Sequence, residues 1–187
     1  MINVAEDVIE FMIRKGQYPN VVTLMDGYCL RGEVDEALAV LETMKRRGIV
    51  PNIHTYNILI NGYCKKLKVD RAVDLFQQLP REGLSPTIYT YNTILQGYFL
   101  TGRHVEARKF FDEKMMLNKG LKINMVTCYT MLDGLFQNRY MDAAMSFFHV
   151  MQCNGITRYI GSYNIQINGL CKKGNFEKAK NIGSMTF

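Results

Sequence analysis

The chain has 187 residues, of which 48% are hydrophobic, and a formal net charge of +6 at pH 7. No apolar run approaches the roughly 20 residues that cross a bilayer, so the sequence predicts no membrane-spanning helix. The mild basic excess favours anionic partners. The first thirteen residues contain Glu6, Asp7 and Glu10, which argues against an organellar transit peptide within this chain.

A fixed interval of about 35 residues organises the whole sequence. Glycine recurs at Gly27, Gly62, Gly97, Gly134 and Gly169, and alanine keeps the same interval at Ala37, Ala72, Ala107, Ala144 and Ala179. A period of this size marks a solenoid of stacked supersecondary units. The predicted units are a half unit at 1–20, a shortened unit at 21–52, full units at 53–87, 88–124 and 125–159, and an incomplete unit at 160–187.

Two units depart from the interval. Gly16 and Gly27 are 11 residues apart where Gly48 and Gly62 are 14 apart, so unit 21–52 lacks three residues. Unit 88–124 instead carries two extra residues, which we place within 112–117.

Each full unit is predicted to form two amphipathic helices. In unit 53–87 the first apolar face follows the i, i+3, i+4, i+7, i+8 spacing of a helix, with Tyr56, Leu59, Ile60, Tyr63 and Cys64. A polar break at 65–68 precedes a second such face. Because an isolated helix of about 12 residues is marginal in water, each pair must pack against its neighbours. The sequence predicts an all-α, right-handed superhelical solenoid of helix-turn-helix hairpins.

The side chains that commonly hold metals or perform catalysis do not converge in this pattern. Cys29, Cys64 and Cys171 occupy the same place in three units, which separates them along the array and favours small buried packing residues. The histidines fall at different places in different units. We therefore expect no metal site, no cofactor and no enzymatic activity.

The residues within the units resemble a known family. Residues 55–65 (Thr-Tyr-Asn-Ile-Leu-Ile-Asn-Gly-Tyr-Cys-Lys) and 90–98 resemble the first helix of a pentatricopeptide repeat, and 34–38 with Gly48 and Pro51 resembles its second helix and closing turn. The resemblance covers essentially the whole chain, and the absence of Trp distinguishes it from tetratricopeptide repeats. The units look like those of the P-type subfamily, and the Asn-Gly-Tyr/Leu-Cys-Lys-Lys phrase resembles plant restorer-of-fertility-like proteins.

The resemblance implies a monomer that binds single-stranded RNA, one base per repeat, in RNA processing, stability or translation control in mitochondria or plastids. In the family the fifth and last residues of a repeat choose the base and the second residue clamps it. This assigns base reading to Asn57 with Thr87 and to Asn92 with Asn124, and clamping to His54 and Tyr89. Asparagine at the fifth place implies a preference for pyrimidines.

The other units fit this code less well. Unit 125–159 places Tyr129 and Tyr159 at the reading positions beside Val126 as the clamp, and we assign it no base. The last unit has Asn164 at the fifth position and no partner. The shortened unit puts Val22 there if it is aligned without a gap, and valine cannot hydrogen-bond a base edge.

Each assignment has a structural alternative. Asparagines near helix starts are often helix caps. The basic residues at the ends of first helices either contact phosphates or complement the helix dipole; these are Lys65, Lys66, Lys172 and Lys173. Two further functional hypotheses stay open: a helical scaffold that binds a protein or peptide, and a truncated remnant of a longer pentatricopeptide repeat protein with little activity. A lysine-bearing groove favours RNA over a protein ligand.

Overall fold

The structure is a computed structural model that describes residues 7, 11, 19–118, 120–153, 164, 167–171 and 174–184. Its main helices are α1 (Pro19–Arg31), α2 (Val34–Arg46), α3 (Ile53–Lys65), α4 (Val69–Gln78), α5 (Ile88–Leu100), α6 (His104–Phe110), α7 (Met125–Gln137), α8 (Met141–Cys153) and α9 (Phe176–Ser184). A 3₁₀ turn, Leu79–Glu82, follows α4, and a π-helix, Phe111–Met116, follows α6. No strand occurs among these residues, and none of their helices is long and apolar enough to cross a bilayer.

The chain forms two compact units, Met1–Gly97 and Tyr98–Phe187. In the first, α1 packs on α2 and α3 packs on α4, and α3 also contacts both helices of the hairpin before it. In the second, α7 packs on α8. Only two or three residues join the helices of each of these pairs, so the partners run antiparallel as helical hairpins.

The recurring alanine lies in the core of each hairpin. The side chains of Ala37, Ala72, Ala107 and Ala144 are fully buried. The apolar face predicted for the first helix of unit 53–87 is buried as well, and Tyr56, Leu59 and Ile60 are without solvent exposure. A small residue at the alanine position lets the paired helices approach closely, since a longer side chain there would overpack the core.

Four of the five recurring glycines lie where one first helix touches the next, and Gly27 has no heavy atom of the described residues within 4 Å of an added Cβ. A Cβ atom added at Gly62 would lie 2.8 Å from Cys29 Sγ, and one at Gly97 would lie 2.5 Å from Cys64 Sγ. In the second compact unit, a Cβ atom added at Gly134 would overlap the ring of Phe99, and one added at Gly169 would overlap the ring of Phe136. Real Cβ atoms essentially never approach within 3.0 Å of another heavy atom. The helix contact therefore requires glycine at this position.

The cysteines of this contact are packing groups. Cys64 is buried, and burial raises the pKa of its thiol to about 12. Burial likewise raises the pKa of Cys29 to about 11. Thiols with such pKa values stay protonated at neutral pH and are poor metal ligands and nucleophiles. No group of three or more potential metal ligands occurs in the described part of the chain.

The π-helix Phe111–Met116 overlaps the segment to which the sequence assigns two extra residues. A π-helix accommodates additional residues per turn compared with an α-helix. Phe111 and Met115 both stay buried within it, so the wider turn keeps the apolar face of the second helix directed at the core. The unit boundaries themselves remain predictions.

A polar contact ties the first two hairpins together. The hydroxyl of Tyr63 donates to Asp35 Oδ1 at 2.9 Å, and the ammonium of Lys68 lies 3.4 Å from Asp35 Oδ2. The Tyr63 hydrogen bond lowers the pKa of the Asp35 carboxyl below its ordinary value, with help from Lys68.

We expect Gly97→Ala to destabilise the protein by about 1–3 kcal/mol, because its Cβ would overlap Cys64 Sγ. Chemical denaturation monitored by circular dichroism measures the change. The same substitution in a Cys64→Ala background should cost less, since the overlapping sulfur is gone. Equal costs in both backgrounds would show that this contact does not constrain the helices.

We expect Tyr63→Phe to raise the pKa of Asp35 toward its ordinary value of 3.8, because the substitution removes the hydroxyl donor. Carboxyl ¹³C NMR titration measures this. Since the folded pKa is lowered, the stabilisation is present above the unfolded carboxyl pKa and is lost as the pH falls through the folded value. An unchanged titration in the variant would contradict the assigned cause.

Candidate nucleic-acid interface

A groove of about 340 Å³ lies on the first helices of the first compact unit. We call it the first-helix groove; it is lined by Val22, Thr23 and Asp26 of α1, His54, Asn57, Ile58 and Asn61 of α3, and Tyr89 of α5. It brings together three residues that the sequence assigned to RNA recognition: His54, Asn57 and Tyr89.

One face of α3 supplies most of the polar groups. His54, Asn57, Ile58 and Asn61 follow the i, i+3, i+4, i+7 spacing that places side chains on one side of a helix. Lys65 continues this face one turn further, where its side chain is exposed. The face therefore offers a ring, amides and an ammonium in a row.

The residues predicted to clamp bases are the second residues of their helices, and all are exposed. His54 is exposed on α3, and the side chain of Tyr89 on α5 is 55% exposed. Val126, the second residue of α7, is 58% exposed and carries no ring. His54 and Tyr89 both reach the first-helix groove, so two aromatic rings border the same space.

The predicted reading pair Asn57 and Thr87 is joined by a third residue. Asn57 is buried, with 8% exposure, and its Oδ1 accepts a hydrogen bond of 2.8 Å from the hydroxyl of Thr90. The backbone N–H of Thr87 donates to Thr90 Oγ1 at 3.1 Å, and the backbone N–H of Thr90 lies 3.4 Å from Thr87 Oγ1. These reciprocal bonds cap the start of α5.

The capping alternative applies to some asparagines and not to others. Asn124 Oδ1 accepts from the backbone N–H of Thr127 at 3.1 Å and caps α7. Asn52 caps α3 in the same way through Thr55. Asn57, by contrast, is the fifth residue of α3 and takes no part in its cap. Where the structure describes the last residue of a predicted unit, at Asn52, Thr87 and Asn124, that residue caps the helix that follows.

The remaining predicted reading residues lie on several helices. Asn92 is half-buried on α5, and its Oδ1 is buried without a hydrogen-bond donor among the described residues. Tyr129 is half-buried on α7, and Asn164 is helical and exposed. The other predicted site residues, Tyr159, Lys172 and Lys173, lie outside the described residues.

The two described lysines of the phosphate prediction have different surroundings. A Cβ built at Gly32 would lie against Cε and Nζ of Lys66. Lys66 therefore lies over the turn that follows α1, where the helix dipole favours a cation. Lys65 extends the groove-facing side of α3, which makes it the better candidate for a phosphate contact.

The shortened unit presents different chemistry to the groove. Thirty-five residues before Asn57, Asn61 and Lys65, α1 carries Val22, Asp26 and Leu30. It therefore lacks the amide and the ammonium, and it adds a carboxylate that repels phosphate. Neither Asn61 nor Asp26 was among the predicted site residues, although the 35-residue interval places both at the same polar position of the first helix.

Family models match most of the chain. Residues 23–65, 52–99 and 86–137 match the PPR repeat family, and residues 112–173 match the pentatricopeptide repeat domain. No curated protein sequence matches the chain significantly.

Solved structures with the same fold extend these matches. The chain is similar to the pentatricopeptide repeat protein PPR10 from maize, with a TM-score of 0.79 and 24% identity over 97% of this chain and 26% of PPR10. PPR10 in complex with an 18-nt psaJ RNA element gives a TM-score of 0.78 at 24% identity, over 95% of this chain and 26% of PPR10. The PPR domain of Arabidopsis thaliana protein-only RNase P 1, in complex with tRNA, gives 0.65 at 16% identity over 87% and 85% of the two chains. These matches confirm the predicted all-α solenoid of helical hairpins.

Proposed function

Since the chain belongs to the pentatricopeptide repeat family, we propose that it binds single-stranded RNA in the first-helix groove and reads one base per repeat. One observation carries the proposal: His54 and Asn57 line the groove from one side of α3, and Lys65 follows on that side at helical spacing. These residues provide a stacking surface, a base-edge hydrogen-bonding group and a phosphate-binding cation. The PPR10–RNA complex supports the proposal, because it joins RNA to a protein of this fold.

In the proposed complex a base stacks between the rings of His54 and Tyr89, and its edge meets Asn57. Stacking of a base on an aromatic side chain contributes about 1–3 kcal/mol and tolerates any base. Selectivity therefore comes from the edge contact, for which the family resemblance implies a pyrimidine. Asn57 and Thr87 are the proposed reading pair of this repeat, and Asn92 with Asn124 that of the next.

The side chains of α1 limit how much RNA this chain holds. Val22 offers no hydrogen bond to a base, and the carboxylate of Asp26 opposes phosphate. We therefore propose that selective contacts begin at the repeat 53–87, and that affinity for short pyrimidine RNA is micromolar or weaker.

We also propose, from the family resemblance, that the protein is of P-type and acts in mitochondria or plastids on RNA processing, stability or translation. Organelle fractionation with an antibody against this chain tests the location. Recovery of the protein outside both organelles would contradict it.

We expect RNA binding by the full chain to weaken with salt, and Lys65→Ala to reduce the slope of log affinity against log salt by about 0.7, the value for one phosphate contact on a single strand. Fluorescence anisotropy with short labelled oligouridine measures both. Lys114→Ala removes the same charge from an exposed position in the π-helix and is the matched control. Equal changes of the slope in the two variants would show that Lys65 does not contact RNA.

We expect Asn57→Ala to reduce the preference for oligouridine or oligocytidine over oligoadenosine by about 1 kcal/mol, the usual net value of one hydrogen bond. Val22→Ala changes the equivalent position of the shortened repeat and should leave the preference unchanged. If the folded wild-type chain binds none of these RNAs, the proposal fails, and the scaffold and remnant hypotheses gain support.

A further inference from the structure

We propose that Thr90 is a positioning residue that sets the orientation of the Asn57 amide and couples Asn57 to Thr87. The two reading residues of the repeat then act as one hydrogen-bonded group. The consequence for base selection rests on the proposed RNA binding, whereas the orientation of the amide can be measured without RNA.

The hydrogen-bond geometry around Thr90 decides the direction of its only hydroxyl proton. The Thr90 Oγ1 to Asn57 Oδ1 distance is 2.8 Å, the usual length of an O–H···O bond. The Thr90 Oγ1 to Thr87 Oγ1 distance is 3.2 Å, which is longer than such bonds usually are. The proton of Thr90 therefore goes to Asn57, while the lone pairs of Thr90 Oγ1 accept from the backbone N–H and hydroxyl of Thr87.

This direction determines which half of the Asn57 amide is available to RNA. An asparagine side chain has one carbonyl acceptor and one NH₂ donor. With the carbonyl held by Thr90 in the protein interior, the NH₂ group is left for the base. A fixed donor recognises an acceptor on the base edge, whereas an amide that rotates freely offers a donor or an acceptor and discriminates less.

Thr55 and Thr127, the third residues of α3 and α7, make a different contact. The hydroxyls of Thr55 and Thr127 each lie 3.2 Å from the Oδ1 of the asparagine that caps their own helix, Asn52 and Asn124. Asn57 lies 33 residues before Thr90, and the residue 33 positions before Thr55 is Val22, which has no amide to orient. Thr55 is therefore a natural control for the capping role of this threonine.

The test uses the full chain with Thr90→Val, Thr90→Ser and Thr55→Val. Valine has the shape of threonine without its hydroxyl, and serine keeps the hydroxyl. The preference for oligouridine over oligoadenosine should fall about threefold to tenfold in Thr90→Val, the factor expected for one net hydrogen bond. It should persist in Thr90→Ser and in Thr55→Val, although Thr55→Val also loses a capping contact.

A second measurement is independent of RNA. NMR relaxation of the Asn57 side-chain amide in the free protein should report increased mobility in Thr90→Val and wild-type rigidity in Thr90→Ser and Thr55→Val. An amide equally rigid in Thr90→Val overturns the inference, as does an equal loss of preference in Thr55→Val. If the amide is released and the wild-type chain nevertheless binds no RNA, the positioning role stands and the proposed function is wrong.

Discussion

The close contact between consecutive first helices is the constraint on which the rest of this structure depends. At Gly62, Gly97, Gly134 and Gly169 the helices approach so closely that no side chain fits, and the residue two places after the preceding glycine occupies the space. That residue is Cys64 against Gly97 and Phe99 against Gly134. A sulfur and an aromatic ring thus serve the same contact, because the opposing glycine leaves room for either.

The same proximity creates the first-helix groove. First helices that lie side by side present equivalent faces on the same side, so residues 35 apart in the sequence border a common space. This brings His54 and Tyr89 to the same groove. The fold by itself does not fix the chemistry of this face, since α1 has the same position in its hairpin as α3 but carries Val22 and Asp26 where α3 carries Asn57 and Asn61. The chemistry belongs to individual side chains on a repeated framework.

Helix capping and the proposed base reading are alternatives at the level of sequence, but the structure shows that the same residue can be placed for both. Thr87 caps α5 through Thr90 and is also the proposed partner of Asn57. Asn124 caps α7 and occupies the corresponding place in the next repeat. A capping residue is held by the backbone that it caps, and a group held in this way loses less conformational entropy when it binds a ligand.

The sequence by itself determined the repeat interval, the helical hairpins and the burial of the recurring alanine, because these follow from apolar spacing within about 35 residues. It also predicted RNA contacts for His54, Asn57 and Tyr89, and the structure places these three residues in one groove. Only the tertiary structure decided that Thr90 reaches Asn57, 33 residues earlier, and that Lys66 covers the turn at Gly32. Periodicity assigns a residue to a face of its helix, but the atoms it meets depend on the separation of neighbouring hairpins and on side-chain rotamers, which packing alone settles.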